Sequence, residues 1–275
     1  MKTFKTYTDI ADDCQGAVVA MGNFDGVHLG HQSVIALARA IAATNNAPLG
    51  VITFEPHPRQ LFAPDAPAFR LMNEETRAHR INKLGVDALF ELPFNTALSQ
   101  LTAEAFARDV LVNGLKIKHV IIGADFRFGK GRQGDADMLC EFGNQMGFGV
   151  TVAPLISDDK GDYSSSAIRE ALSTGHPEDA ARILGHWHRI DGVVEKGDQR
   201  GRELGFPTAN ISLDDLHLPK FGVYAVFFDI LNGPHQGVYR GAASLGIRPT
   251  FGINKPNLET FLFDFSGDIY GASVS

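Results

Sequence analysis

The feature that most restricts the fold is an alternation that runs through the first two-thirds of the chain and then stops. Short, continuously apolar runs at 17–21, 49–54, 88–92, 119–123 and 149–153 are separated by stretches of helical spacing at 31–43, 74–84, 102–113 and 135–146. A strand that is apolar at every position must be covered on both faces, the condition of a parallel sheet between helices. Right-handed crossovers then make the predicted architecture a doubly wound, Rossmann-like α/β sheet. After about Gly185 the helical spacing ends. Short β-rich runs at 190–194, 222–228, 237–239, 241–245 and 258–265, set between glycines and prolines, predict a small antiparallel β-barrel. The expected domains are therefore 1–185 and 186–275.

Composition narrows the partners. A net charge of −7 argues against a nucleic-acid binder, which carries a basic surface, but not against a nucleotide ligand in a local basic pocket. Cys14 and Cys140 are too few for a disulfide framework or a cysteine-rich metal site. Residues 1–9 lack a signal-type apolar run, and no stretch approaches the roughly 20 apolar residues that span a bilayer. The expectation is a cytoplasmic protein with reduced thiols and no membrane partner. The sequence sets no oligomeric state.

The segment Gly22-Asn-Phe24-Asp25-Gly-Val-His28-Leu-Gly30-His31 lies where the first strand gives way to the first helix. Ligands of doubly wound sheets bind at the carboxyl ends of strands, and a helix N-terminus offers free N–H groups and partial positive charge to phosphate. Two histidines three apart can address one polyphosphate, and Gly30 would leave room for a base to approach the backbone. A surface loop with incidental histidines is the bland alternative; the strand–loop–helix setting weighs against it. No P-loop is present, because Gly123 to Gly129 spans one residue too many and Gly131 stands where Ser or Thr is required.

Three further polar clusters follow strands and so share that rim. Glu55-Pro56-His57-Pro58 presents a histidine between two prolines, ahead of a stretch, 58–70, that reads as a loop. Asp125-Phe126-Arg127-Phe128-Gly-Lys130-Gly-Arg132 combines aromatic rings with three cations. Ser164-Ser165-Ser166 with Arg169 has the composition of a helix N-terminus. Each alone reads more readily as a proline turn, a solvated loop or a capped helix. Their placement after successive strands favours a site.

Together these segments resemble the prokaryotic bifunctional riboflavin kinase/FMN adenylyltransferase (FAD synthetase) family. The sheet half carries G-x-F-D-G-V-H-x-G-H at 22–31, F-x-P-H-P at 54–58, G-x-D-F-x-F-G-x-x-R-x-G at 123–134 and S-S-x-x-I-R at 164–169. The second half is similar to the kinase domain at 192–210, which holds Gly197, Arg202, Gly205 and Pro207-Thr208-Ala-Asn210, and again at 244–252 and 259–265. The resemblance implies that His28 and His31 hold ATP phosphates, with Gly22, Phe24, Asp25, Gly30, Ser164, Ser165, Ser166 and Arg169 completing the ATP site. It implies an FMN site of Pro56, His57, Pro58, Asp125, Phe126, Phe128 and Arg132. In the kinase half it implies ATP and Mg2+ on Thr208 and Asn210, with Gly197, Arg202, Gly205 and Pro207 beside them and Glu259 as base. Riboflavin, FMN and FAD are then substrates and products.

Two expectations qualify this reading. The family normally continues beyond 268–271 with another strand and helices that help cover the flavin. A chain ending at Ser275 is therefore expected to have an incomplete barrel, exposed apolar surface and a weak or absent kinase activity. Other His-x-Gly-His nucleotidylyltransferases, with pantetheine phosphate, nicotinamide mononucleotide or glycerol phosphate as acceptor, remain alternatives that the barrel motifs disfavour. A non-catalytic flavin-binding regulator is the alternative from another class.

Overall fold

The computed structural model describes residues 1–196, 207–213, 216–247 and 256–275. They form two compact units, Met1–Pro67 with Glu74–Ser165, and Ala68–Asn73 with Ser166–Ser275.

The first unit is a six-stranded, wholly parallel sheet. Its strands are β1 (Lys2–Phe4), β2 (Val18–Met21), β3 (Leu49–Glu55), β4 (Ala88–Pro93), β5 (His119–Gly123) and β6 (Gly149–Ala153), in the order β1-β4-β3-β2-β5-β6. Every residue of β2 and all but the last of β3 are buried, which is what their unbroken apolar character demanded. The expected strands and α1 (Leu29–Asn45), α3 (Glu74–Lys83) and α6 (Ala136–Met146) form at close to the expected limits. Ile35, Ala38 and Ala42 are the buried positions of α1, at the three- and four-residue spacing of one helix face.

Elsewhere local detail departs from the periodicity. The stretch read as a loop opens with a one-turn helix, α2 (Pro58–Phe62), because His57 caps it and Pro58 supplies the right φ at its first position. The helix expected at 102–113 is a turn of α-helix, α5 (Ala103–Ala105), running into a wider π-type segment, Phe106–Gly114, after the short α4 (Thr96–Ser99). A hairpin, β7 (Ser157–Asp158) and β8 (Gly161–Asp162), follows the sheet. Moving outward from the sheet centre, strand order reverses between β2 and β5, so the crevice beyond their carboxyl ends is the switch point where such sheets bind ligands.

Besides Ala68–Asn73, the second unit contains α7 (Ser165–Thr174), whose first residue belongs to the sheet unit, and α8 (Pro177–Leu184). A closed barrel follows, made of β9 (Gly192–Glu195), β10 (Thr208–Ile211), β11 (Gly222–Ile230), β12 (Gly237–Ile247), β13 (Pro256–Leu262) and β14 (Ser273–Val274), ordered β10-β13-β12-β11-β14-β9. The runs expected at 237–239 and 241–245 are one strand, with Arg240 simply facing outward. Burial alternates: Ala209, Ile211, Phe228, Ile230, Ala243, Leu245, Leu258 and Leu262 fill the interior.

The six strands close on themselves. Val274 pairs with Ile230 of β11 and with Gly192 of β9, so these last residues close the sheet. Apolar surface does remain on the outside: Val223, Phe227 and Val238 are 75%, 63% and 66% exposed.

Candidate active sites

The loop between β2 and α1 is held in a demanding conformation. Phe24 and Val27 take φ of 52° and 43°, the left-handed region that costs a non-glycine residue on the order of 1–3 kcal/mol, most for a β-branched one. Such strain persists only where surroundings enforce it. Phe24, Asp25 and Val27 are all at most 2% exposed. Thr53 Oγ1 donates to the Asn23 carbonyl at 3.1 Å, Gln32 Nε2 to that of Val27 at 2.9 Å and Ser165 Oγ to that of Asp25 at 2.8 Å.

This loop delivers two stacked histidines to the start of α1. The His28 and His31 rings lie 3.7 Å apart, centre to centre, at 24°, with Phe24 tilted against His31 at 5.1 Å. His28 caps the helix: its Nδ1 accepts from the His31 backbone N–H at 3.3 Å. A neutral His28 with an accepting Nδ1 carries its proton on Nε2 and so offers a donor to an anion. Burial, reinforced by the neighbouring His28, pushes the His31 imidazole well below its usual range. His31 Nδ1 is shielded from solvent and has no hydrogen-bond partner among the described residues. At Gly30 the surroundings leave no room for a larger residue. A Cβ there would lie 3.0 Å from the His28 ring and 3.1 Å from the Tyr163 carbonyl.

Ser164 and Ser165 precede and open α7, as expected of a helix N-terminus. Ser166 is exposed, and Arg169 donates from Nε to the Phe69 carbonyl at 2.7 Å with its guanidinium 5.4 Å from the Phe69 ring.

The FMN candidates divide by burial. His57 accepts from Arg59 N–H at 3.1 Å, and its own N–H donates to Gln60 Oε1 at 3.0 Å, so Pro56-His57-Pro58 forms a capped helix start. Asp125 and Arg132 are exposed and Phe126 is half-buried. Phe128, by contrast, is 6% exposed and packs against Phe106 at 5.8 Å, so it supports the Phe126 ring, 5.9 Å away, from within the core. Of the three cations, Arg127 pairs with Asp135 at 3.1 Å.

In the barrel, spacing by two places the kinase candidates on the outward face. Cross-strand register aligns Glu195, Asn210, Glu259 and Ser244 in one row across β9, β10, β13 and β12. Asn257 Nδ2 donates to Glu259 Oε1 at 2.7 Å, and Thr208 Oγ1 stands 3.5 Å from Oε2. Pro207 is exposed. Gly197, Arg202 and Gly205, and residues 248–252, lie outside the described residues.

Comparison with known proteins decides the family. A model described as FAD synthetase matches residues 10–167 and one described as riboflavin kinase matches 184–275. A protein of Pseudomonas fluorescens named bifunctional riboflavin kinase/FMN adenylyltransferase is 39% identical over 98% of this chain and 86% of its own length. The chain belongs to the bifunctional riboflavin kinase/FMN adenylyltransferase family. Relatives of the same name from Haemophilus influenzae and Bacillus subtilis are 41% and 37% identical over 94% and 96% of the chain, and 83% and 84% of their own lengths. A crystal structure titled macrolide-efflux protein from Streptococcus pneumoniae superposes with a TM-score of 0.86 at 32% identity, covering 99% of this chain and 88% of that one. Efflux is said of that protein only; no described helix here is long and apolar enough to cross a membrane.

Both halves of the family are matched, so complete FAD synthesis is favoured over the expected weak kinase. The motifs of the sheet half pass over Thr53 and Gln32, which pin the loop between β2 and α1 through its carbonyls. Such bonds to backbone carry no sequence signature. Asn257 was reachable in principle, since it lies two residues before Glu259 on a strand and therefore on the same face.

Proposed function

We infer that this chain makes FAD from riboflavin in two ATP-dependent steps, phosphorylating riboflavin in a module spanning 186–275 and adenylylating FMN in one spanning 1–185. The observation that carries the reading is the stacked His28–His31 pair at the helix N-terminus beside the sheet's switch point. In adenylyl transfer the FMN phosphate oxygen attacks the α-phosphorus of ATP and pyrophosphate leaves. The nucleophile is already an anion, so the protein's task is positioning and charge neutralisation. His28 donates from Nε2 and the N-terminus of α1 adds its N–H groups. Approach of the polyphosphate raises the depressed His31 imidazole towards its protonated form. Arg169 and the serines at 164–166 are assigned to the same triphosphate, and His57, Asp125, Phe126 and Arg132 to FMN.

In the kinase step the Glu259 carboxylate takes the proton of the ribityl hydroxyl as that oxygen attacks the γ-phosphorus and ADP leaves. Asn257 and Thr208 hold the carboxylate in place. Among the described residues no group of three or more His, Cys, Asp or Glu side chains is placed to hold a metal. The side-chain oxygens of Thr208 and Asn210 fit Mg2+, which keeps several waters and binds chiefly through phosphates. When bound, Mg2+ supplies neutralisation of the triphosphate. The free thiols of Cys14 and Cys140 and a demand for ATP support a cytoplasmic location for this activity.

The test is to incubate the chain with riboflavin, ATP and Mg2+ and resolve the flavins by chromatography. FMN should form first and FAD after it. Flavin recovered unchanged would overturn the reading, and FMN without FAD would remove its second half.

A further inference from the structure

Arg77 lies on α3 and belongs to none of the family motifs, yet its guanidinium is fully buried. Its Nη2 donates to Glu55 Oε2 at 2.8 Å and to Glu91 Oε1 at 3.0 Å, and Nη1 reaches the Phe54 carbonyl at 3.4 Å. Phe54 and Glu55 end β3, and Glu91 sits near the end of the adjacent β4. All three bonds therefore land on the carboxyl edge of the sheet, immediately before Pro56-His57-Pro58. Glu74, at the start of the same helix, is paired with Lys5 at 2.6 Å. The Glu91 side chain is 2% exposed and that of Glu55 24%, so the network opens only on its Glu55 side.

Stability alone is a weak explanation for such an arrangement. A buried guanidinium between carboxylates gains little over apolar side chains of the same volume, because desolvation offsets the attraction. What it gives that apolar packing does not is a fixed direction: two donors of a planar fork set where a backbone carbonyl and a carboxylate must lie.

We propose that Arg77 is a positioning residue for FMN, holding the end of β3 so that the Pro56-His57-Pro58 turn starts from one fixed place. The proposal rests on the reading of His57 as an FMN contact. Arg77 touches no substrate and acts through the turn alone.

The test uses the full chain and three sets of variants, R77M with R77K, E55Q, and H57A. For each, FAD formation is measured with FMN and ATP varied separately, thermal unfolding is recorded, and riboflavin phosphorylation serves as an internal reference. R77M should raise KM for FMN by about 10-fold and E55Q by about 3-fold, with KM for ATP changed less than about 2-fold, and R77K should recover part of the loss. E55Q keeps the proposal testable if R77M, with two carboxylates left facing one another, fails to fold. A purely structural Arg77 would lower the melting temperature and the active fraction without moving KM for FMN, and that result overturns the proposal. H57A separates the two claims. If H57A raises KM for FMN while folded R77M and E55Q do not, positioning fails and the FMN reading stands. If H57A leaves KM for FMN unchanged, the reading falls and the proposal with it.

Discussion

The two units solve the same problem, exposing reactive side chains on a stable framework, by opposite use of their strands. In the parallel sheet both faces of the central strands are covered, so consecutive residues such as Ile121 and Ile122 are both 0% exposed. No side chain within such a strand can meet a ligand, and every candidate in that unit sits at a strand end, in a loop or at a helix N-terminus. The barrel covers only one face. Phe228 is 2% exposed while its neighbour Phe227 is 63% exposed, and the candidates Thr208, Asn210 and Glu259 are themselves strand residues. Covering two faces sends chemistry to the edges, whereas covering one makes alternate positions of the strand itself available.

The largest expected effect tests whether the two sites are separate. Replacing both His28 and His31 by alanine should lower FAD formation from FMN at least ~1000-fold, given that one lost donor to a developing anion costs ~100–1000-fold, and leave riboflavin phosphorylation within about 2-fold. A parallel fall in phosphorylation, measured on the same preparation, would break the division. The reciprocal change is E259Q, expected to reduce FMN formation ~100-fold or more while sparing adenylyl transfer to supplied FMN.

Stability gives a subtler comparison. In the sheet, I121A and I122A should each destabilise by about 3 kcal/mol in denaturant unfolding, because both remove buried contacts. In the barrel, F228A should cost about 4 kcal/mol and F227A under about 0.5 kcal/mol. Equal costs at 227 and 228 would mean that the outer face is covered in solution.

The smallest effect concerns acid. Burial pushes the partly buried His188 imidazole down to about 4, with His186 and His217 adding repulsion and Asp191 opposing. A folded value below the unfolded one, about 6.5, means that unfolding takes up protons as the pH falls. The neutral-ring contribution is thus complete above pH 6.5 and lost between there and about 4. Between pH 7 and pH 4 the barrel of the unchanged chain should lose about 2 kcal/mol more than that of H188Q, followed by unfolding at each pH. No difference between the two would remove His188 as a source of acid sensitivity in the barrel.

Much of this organisation is legible in the residues themselves. Apolar runs point to covered strands and appear where expected, although edge strand β6 leaves Val152 39% exposed. The elements that escape are short or borrow their stability. β1 spans three residues, two of them exposed, and exists because β4 offers it a ladder. β10 coincides with the Pro-Thr-Ala-Asn motif, whose alternation is only four residues long. β14 is two residues and forms because β9 and β11 are both free to pair with it.

By itself, then, the sequence determined the two architectures, the alternation or its absence along each strand, and the motif segments that carry His28, His31, His57, Asp125 and Glu259. These follow from local patterns of hydrophobicity and from side-chain chemistry. Only the tertiary structure decided that Phe128 is core rather than surface, that no Cβ fits at Gly30, that Phe24 and Val27 are held in left-handed conformations, and that Arg77 on α3 grips Phe54 and Glu55 at the end of β3. Those facts depend on contacts between residues distant in the chain, where burial and hydrogen-bonding partners are set by neighbours that no local pattern contains.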